Sequence, residues 1–163
     1  ARIDTNGAQT GGDRASKTLA LHGRIYGADA GARCVIHTHS THLVALTLQG
    51  VWSTDDILPP ITPYFVMKVG HVPLIPYHRP GDPLAADLVA QTITRFGLQG
   101  TPIRAVMLAR LGPNVWHDAP AAAMATLEEL EETAKLVLLS PTPPAPLTDA
   151  QIEELRHTFG ARW

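Results

Sequence analysis

The stretch Val35-Ile36-His37-Thr38-His39-Ser40-Thr41-His42, VIHTHSTH, decides how this chain is read, because an apolar run gives way to three histidines within six residues. Residues 33–39 alternate in polarity and are rich in β-formers, which predicts a strand. On a strand, residues two apart share a face with Cβ atoms about 6.5 to 7 Å apart, so His37 and His39 can converge on one divalent ion. The competing reading is a pair of buried, hydrogen-bonded histidines. Zinc in an open catalytic site takes three protein ligands, so a third donor has to come from elsewhere in the fold. His42 falls on the first turn of the segment that follows, where packing is the simpler role.

Working outward, residues 41–49 have apolar positions at 43, 44, 46 and 48 that fit helix or strand about equally, and we read helix. Upstream, residues 1–14 are rich in Gly, Asp, Asn and Thr and read as loop. Ser16 is placed to cap a helix through Tyr26, with Leu19, His22, Ile25 and Tyr26 on one face. Downstream, Pro59, Pro60 and Pro63 break the chain, 72–77 (VPLIPY) reads as a short strand, and Pro83 opens a helix to about Phe96. Residues 103–110 (IRAVMLAR) have the composition of a buried strand, followed by a short strand at NVW. Asp118 and Pro120 predict the start of a helix over 120–139, with Met124, Leu127, Leu130, Ala134 and Val137 on its apolar face. SPTPPAP (140–146) is a stiff linker, and Thr148 with Gln151 forms a capping box for a last helix to about Phe159. This is a mixed α/β pattern in three layers, and alternation of strands with helices by itself favours a parallel sheet.

The bulk properties exclude several functions. With 163 residues, 45% of them hydrophobic and 17% charged, the chain suits one domain with a sizeable core, and no apolar run reaches the roughly 20 residues needed to cross a bilayer. A formal net charge of -2 with scattered arginines offers no basic field to nucleic acid. Gly7, Gly11 and Gly12 do not form a phosphate-cradling pattern between strand and helix, which rejects a nucleotide site. The single cysteine, Cys34, precludes an internal disulfide and suits the cytoplasm.

Four segments carry a family resemblance: ASKTLALHGRIY (15–26), CVIHTHSTHLVALTLQG (34–50), TPYFVMKVGHVPLIPYHRPGD (62–82) and MLARLGPNVWHDAPAAAMATLEELEETAKLVLL (107–139). Together they resemble the class II aldolase/adducin family, and within it the branch that decarboxylates phosphorylated 3-oxo sugar acids. The resemblance implies a three-layer α/β/α class II aldolase-like fold with a central, largely antiparallel sheet over residues 1–163. We follow it on that point. It implies that His37 and His39 bind a catalytic divalent metal, zinc or else manganese. It further implies that Tyr64 passes a proton near the reacting carbons, and that Ser16 and Lys17 hold the substrate phosphate. A homo-oligomer is expected, a tetramer with sites between subunits, acting on a small sugar-acid phosphate and touching neither nucleic acid nor membrane. The family's upstream phosphate loops would precede Ala1, so an N-terminal part of the fold is expected before this chain.

At two positions the chain departs from the family pattern. Thr18 stands where a catalytic glutamate is usual, and Leu111 where an N-H-G-P turn supplies a third metal histidine. Substitute ligands could come from His71, His78, His117 or the pairs Glu128-Glu129 and Glu131-Glu132, although surface roles suit each of these. Arg79 could meet an anion or pair within its own turn. Decarboxylation of a 3-oxo acid needs no initial proton abstraction, whereas aldol cleavage and epimerisation do, so the loss of a glutamate favours a decarboxylase. The alternatives are a sugar-phosphate aldolase or epimerase of the same family, and a non-catalytic interaction domain like the adducin head.

Overall fold

The computed structural model describes residues 1–163. Four strands, β3 (Cys34–His37), β4 (Leu74–Ile75), β5 (Ala105–Leu108) and β6 (Gly112–His117), form one sheet in the order β3-β6-β5-β4. The pairs β3–β6 and β5–β6 are antiparallel and only β4–β5 is parallel, so the largely antiparallel sheet holds and the parallel one suggested by simple alternation does not. The physical reason is the tight link Ala109–Leu111, where Arg110 takes φ 65° and lets β5 return as β6 without a crossover helix.

Alternation along the strands divides the core in two. Val35, Val106, Leu108 and Trp116 face helices α1 (Leu19–Ala28) and α3 (Pro83–Leu98), which contribute Leu21, Ile25, Val89, Ile93 and Phe96. Ile36, Ala105, Met107 and Val115 face α2 (Thr41–Gln49), α4 (Pro120–Leu139) and a π-helical turn at Phe65–Val69. These are the three layers expected. Asp29, at the C-terminal end of α1, ties the first layer to the sheet: its Oδ2 accepts from Trp116 Nε1 at 2.9 Å and from Arg104 at 3.0 Å.

Several elements begin or end differently from the sequence reading. Residues 1–14 are not all loop, since β1 (Arg2–Ile3) and β2 (Gln9–Gly11) form a small hairpin whose turn is held by the Asp4 carboxylate accepting from Asn6 N and Ala8 N. Ser16 does not cap α1. Its hydroxyl is engaged by that of Thr18 at 2.9 Å, and the helix starts three residues later. Likewise Asp118 turns to His117 instead of capping α4, and Ala119 occupies the cap position without a side-chain bond. Met124 is exposed because Ala123, Thr126, Leu127, Leu130, Thr133 and Ala134 form the buried stripe of that helix. By contrast the Thr148–Gln151 capping box forms as expected, opening α5 (Asp149–Phe159).

One close approach aligns the end of β3 with β6. Gly112 has φ 138°, and a Cβ there would lie 1.9 Å from the Thr38 carbonyl oxygen. Gly112→Ala is expected to cost about 2–4 kcal/mol or to prevent folding, because both the dihedral and the backbone contact forbid a side chain. Urea denaturation followed by circular dichroism measures it, and a cost below about 1 kcal/mol would contradict this account.

Candidate active site

A cavity of about 680 Å³ opens on the α1/α3 side of the sheet. Its floor is the end of β3 against β6. His37, the last residue of β3, pairs with Asn114 across the strands, so both side chains leave the sheet on the same face with Cβ atoms about 5 Å apart. His39 lies just past the strand, before the helix cap Ser40, and not on the strand itself; its ring nevertheless sits edge-on to His37 with centroids 5.4 Å apart. The H-x-H spacing therefore brings the two rings together, although by the turn into α2 and not by strand pleating alone.

The His37 ring is oriented by its Nδ1, which lies 2.9 Å from the Pro113 carbonyl oxygen. A carbonyl can only accept, so Nδ1 carries the proton and Nε2 keeps its lone pair. Burial holds the His37 pKa below the usual histidine value, and the neighbouring His39 adds to this, with the Pro113 bond opposing both. His22 reaches the cavity from α1 and is lowered chiefly by burial and then by His37. Neutral imidazoles are the form that binds metals.

The mouth has the opposite character. Ser16, Lys17 and Thr18 line it beside the turn of His78, Arg79, Pro80 and Gly81. The two segments touch, since a Cβ on Gly81 would meet the Lys17 carbonyl at 3.4 Å. Two cationic side chains and two hydroxyls thus border one rim. Arg79 is exposed and its Nε is 3.8 Å from Asp82, a separation that leaves the guanidinium donors open to an anion.

Other sequence candidates lie elsewhere. Tyr64 is exposed at the start of the π-helical turn, with Lys68 Nζ 5.1 Å from its ring centroid, and does not line the cavity of its own chain. Among the substitute ligands only His78 reaches the cavity. His71 binds Asp56 and stacks on Trp163 at 4.5 Å, and His117 binds Asp118. Leu111 is part of the cavity wall. No three His, Cys, Asp or Glu side chains are grouped to hold a metal ion.

Three residues matter more than their sequence reading indicated. Glu131, read as a solvated helix position, crosses to α2, where its carboxylate accepts from His42 N at 3.0 Å and Leu43 N at 3.2 Å and binds His42 Nδ1 at 2.9 Å. His42, read as a packing residue, is held by this polar contact with Glu131. His22 was visible as a histidine on an otherwise apolar helix face. Asn114 was signalled only by being the polar member of NVW in a strand of buried residues; it is fully buried.

A three-layer sheet with a paired H-x-H at a strand end and a cationic rim defines a class II aldolase-type fold. The chain belongs to the class II aldolase and adducin N-terminal domain family, whose model matches residues 1–138. It is 53% identical to a 3-oxo-tetronate 4-phosphate decarboxylase of Cupriavidus necator, over all of this chain and 74% of that protein. The decarboxylase of the same name from Escherichia coli K12 is 38% identical, over 95% of this chain and 70% of that one. Among solved structures, YgbL from Escherichia coli superposes with a TM-score of 0.81 at 37% identity, covering 94% of this chain and 72% of that one. An L-fuculose 1-phosphate aldolase superposes with a TM-score of 0.75 at 24% identity, covering 97% of this chain and 70% of that one, a likeness that speaks for the fold alone. The family generally depends on a divalent metal.

Two predictions concern this region. Glu131→Ala is expected to lower stability by about 1–3 kcal/mol, because it strips two amide donors and the His42 ring of their acceptor at the start of α2; chemical denaturation reads the loss, and an unchanged midpoint would refute it. For His22, whose folded-state pKa is depressed, the unfolded chain binds the proton more readily. Its contribution to stability is therefore present above about pH 6.5 and is lost as the pH falls towards the depressed value. The metal-free His22→Gln variant should lose less stability than the parent between pH 7.5 and pH 5.5. Equal losses would show that burial of His22 does not shift its titration.

Proposed function

We propose that this chain is the catalytic part of a divalent-metal-dependent decarboxylase acting on a phosphorylated 3-oxo sugar acid of the 3-oxo-tetronate 4-phosphate type, working in the cytoplasm. The observation that carries the reading is one cavity bordered by His37 and His39 at its floor and by Ser16, Lys17 and Arg79 at its rim, in a chain 53% identical to a protein named for that reaction. His37 and His39 would hold the metal. Their donor chemistry fits, with Nε2 of His37 left free by the Pro113 bond and an unpartnered buried amide beside it. When bound, the ion supplies an electrophile for the charge that develops on the 3-oxo oxygen.

In the reaction the bond between the carboxylate and its neighbouring carbon breaks, and its electron pair moves towards the carbonyl as carbon dioxide leaves. A proton then adds to that carbon. No base has to act first, which agrees with Thr18 at the mouth, a residue that cannot serve as one. Ser16 and Lys17, aided by Arg79, would bind the substrate phosphate and fix the acid end towards the histidines. Desolvation on the apolar wall of Leu108 and Leu111 favours loss of a charged carboxylate as a neutral gas.

The proton donor would be Tyr64 of a neighbouring copy. Within one chain it lies outside the cavity, and its exposure, like that of Trp52, suits a contact between subunits in a homo-oligomer, which we take to be a tetramer. The test is release of carbon dioxide from 3-oxo-tetronate 4-phosphate with and without added zinc or manganese. Release should be metal-dependent and should fall by about 10³-fold or more in His37→Ala. A parent protein that takes up no metal and gives no turnover would favour the non-catalytic relative.

A further inference from the structure

We propose that Asn114 supplies, through Oδ1, the third protein donor of the metal centre, giving a two-histidine, one-amide site for a divalent cation. The inference rests on the proposal that His37 and His39 bind a divalent ion. Two imidazoles alone leave a divalent ion short of protein ligands. No third His, Cys, Asp or Glu is grouped with them, and Leu111 has no lone pair to offer.

Asn114 has both the position and the unmet need. It is the cross-strand partner of His37, so its side chain leaves the sheet beside that of His37 and on the same face. On its other side it pairs with Val106, and Trp116, two residues along, faces the same layer. An apolar side chain would therefore satisfy the packing. Instead there is an amide with no exposure, whose Oδ1 and Nδ2 both lack a hydrogen-bond partner. Leaving such a group unpaired costs about 1–3 kcal/mol, a cost that a bound ligand removes. Only one other buried side-chain atom in the structure lacks a partner, Nε2 of His22, and it belongs to the same cavity. All buried side-chain atoms without a partner thus line one cavity, beside the two rings proposed to hold the ion. With Oδ1 on a cation, the Nδ2–H groups need an acceptor, and the lone pair of His22 has the matching chemistry. Exchanging an imidazole for a carbonyl oxygen also hardens the donor set, which narrows the margin by which zinc outbinds manganese at such a site.

The experiment measures binding of the metal alone, with no turnover involved: manganese by electron paramagnetic resonance, and zinc by competition, for the full chain and its variants. The parent should bind one manganese ion per chain. Asn114→Leu should weaken binding by at least about tenfold, the loss that even an outer-shell partner's removal causes. Its metal-free form should remain folded by circular dichroism, with an unchanged or raised melting temperature, because the unpaired amide is gone. Asn114→Asp, which keeps an oxygen at the same place and adds charge, should bind at least as tightly as the parent, and it decides the matter if the leucine variant fails to fold. Parent-like manganese binding by Asn114→Leu, with binding lost in His37→Ala, would overturn the role of Asn114 and leave the histidine site standing. In Asn114→Asp, weaker binding than the parent would likewise overturn it. Absence of binding in the parent would overturn both readings.

Discussion

The contact on which the site depends is between two backbones. Where β6 begins, Gly112 lies so close to the Thr38 carbonyl that no side chain fits, and its φ of 138° is open only to glycine. This approach aligns the end of β3 with β6, and the alignment places His37 opposite Asn114 and its Nδ1 against the Pro113 carbonyl. A slip of one residue would turn His37 to the other face of the sheet, into the layer of α2 and α4. Ring tautomer, ring orientation and the choice of layer all follow from one strand pairing.

The two layers do different work. On the α2/α4 side the sheet is sealed, with Leu43, Leu46, Leu127 and Leu130 covering Met107 and Val115, and with Glu131 joining α4 to the start of α2. That side holds the turn carrying His39 in place. On the α1/α3 side the apolar core includes Trp116 and Ile25 beside the Asp29 link, and Val89, Ile93 and Phe96 further along. Nearer the end of β3 and the start of β6 the helix layer stands off the sheet, and the cavity fills the gap. Rigid packing behind and open space in front are what a preorganised site requires.

Chemically the cavity is graded. Its floor holds the His37 and His39 rings and a buried, unpaired amide, its wall includes Leu108 and Leu111, and its rim carries Lys17 and Arg79. An anion entering at the rim meets positive charge first and low polarity further in, an order suited to a substrate phosphorylated at one end and losing a carboxylate at the other. Thr18 and Leu111, the two departures from the family pattern, both line this space. Their effect is to remove a base and a ligand from it without filling it.

Much of this was open to a reader of the sequence. Strand and helix periodicities, the Thr148–Gln151 box and the proline breaks are local properties, and local properties are written in consecutive residues. His37 and His39 could be paired because they are two residues apart, and Ser16, Lys17 and Tyr64 could be singled out by resemblance. What sequence order does not contain is registration between distant segments. Asn114 gains meaning only from being opposite His37, 77 residues earlier in number, and Glu131 only from reaching α2. The direction of the sheet, the burial of an unpaired amide, the touch of Gly81 on Lys17 and the distance of Tyr64 from its own cavity arise from through-space packing. Composition and spacing determined which groups are available to the chemistry, and the tertiary pairing of β3 with β6 decided which of them meet.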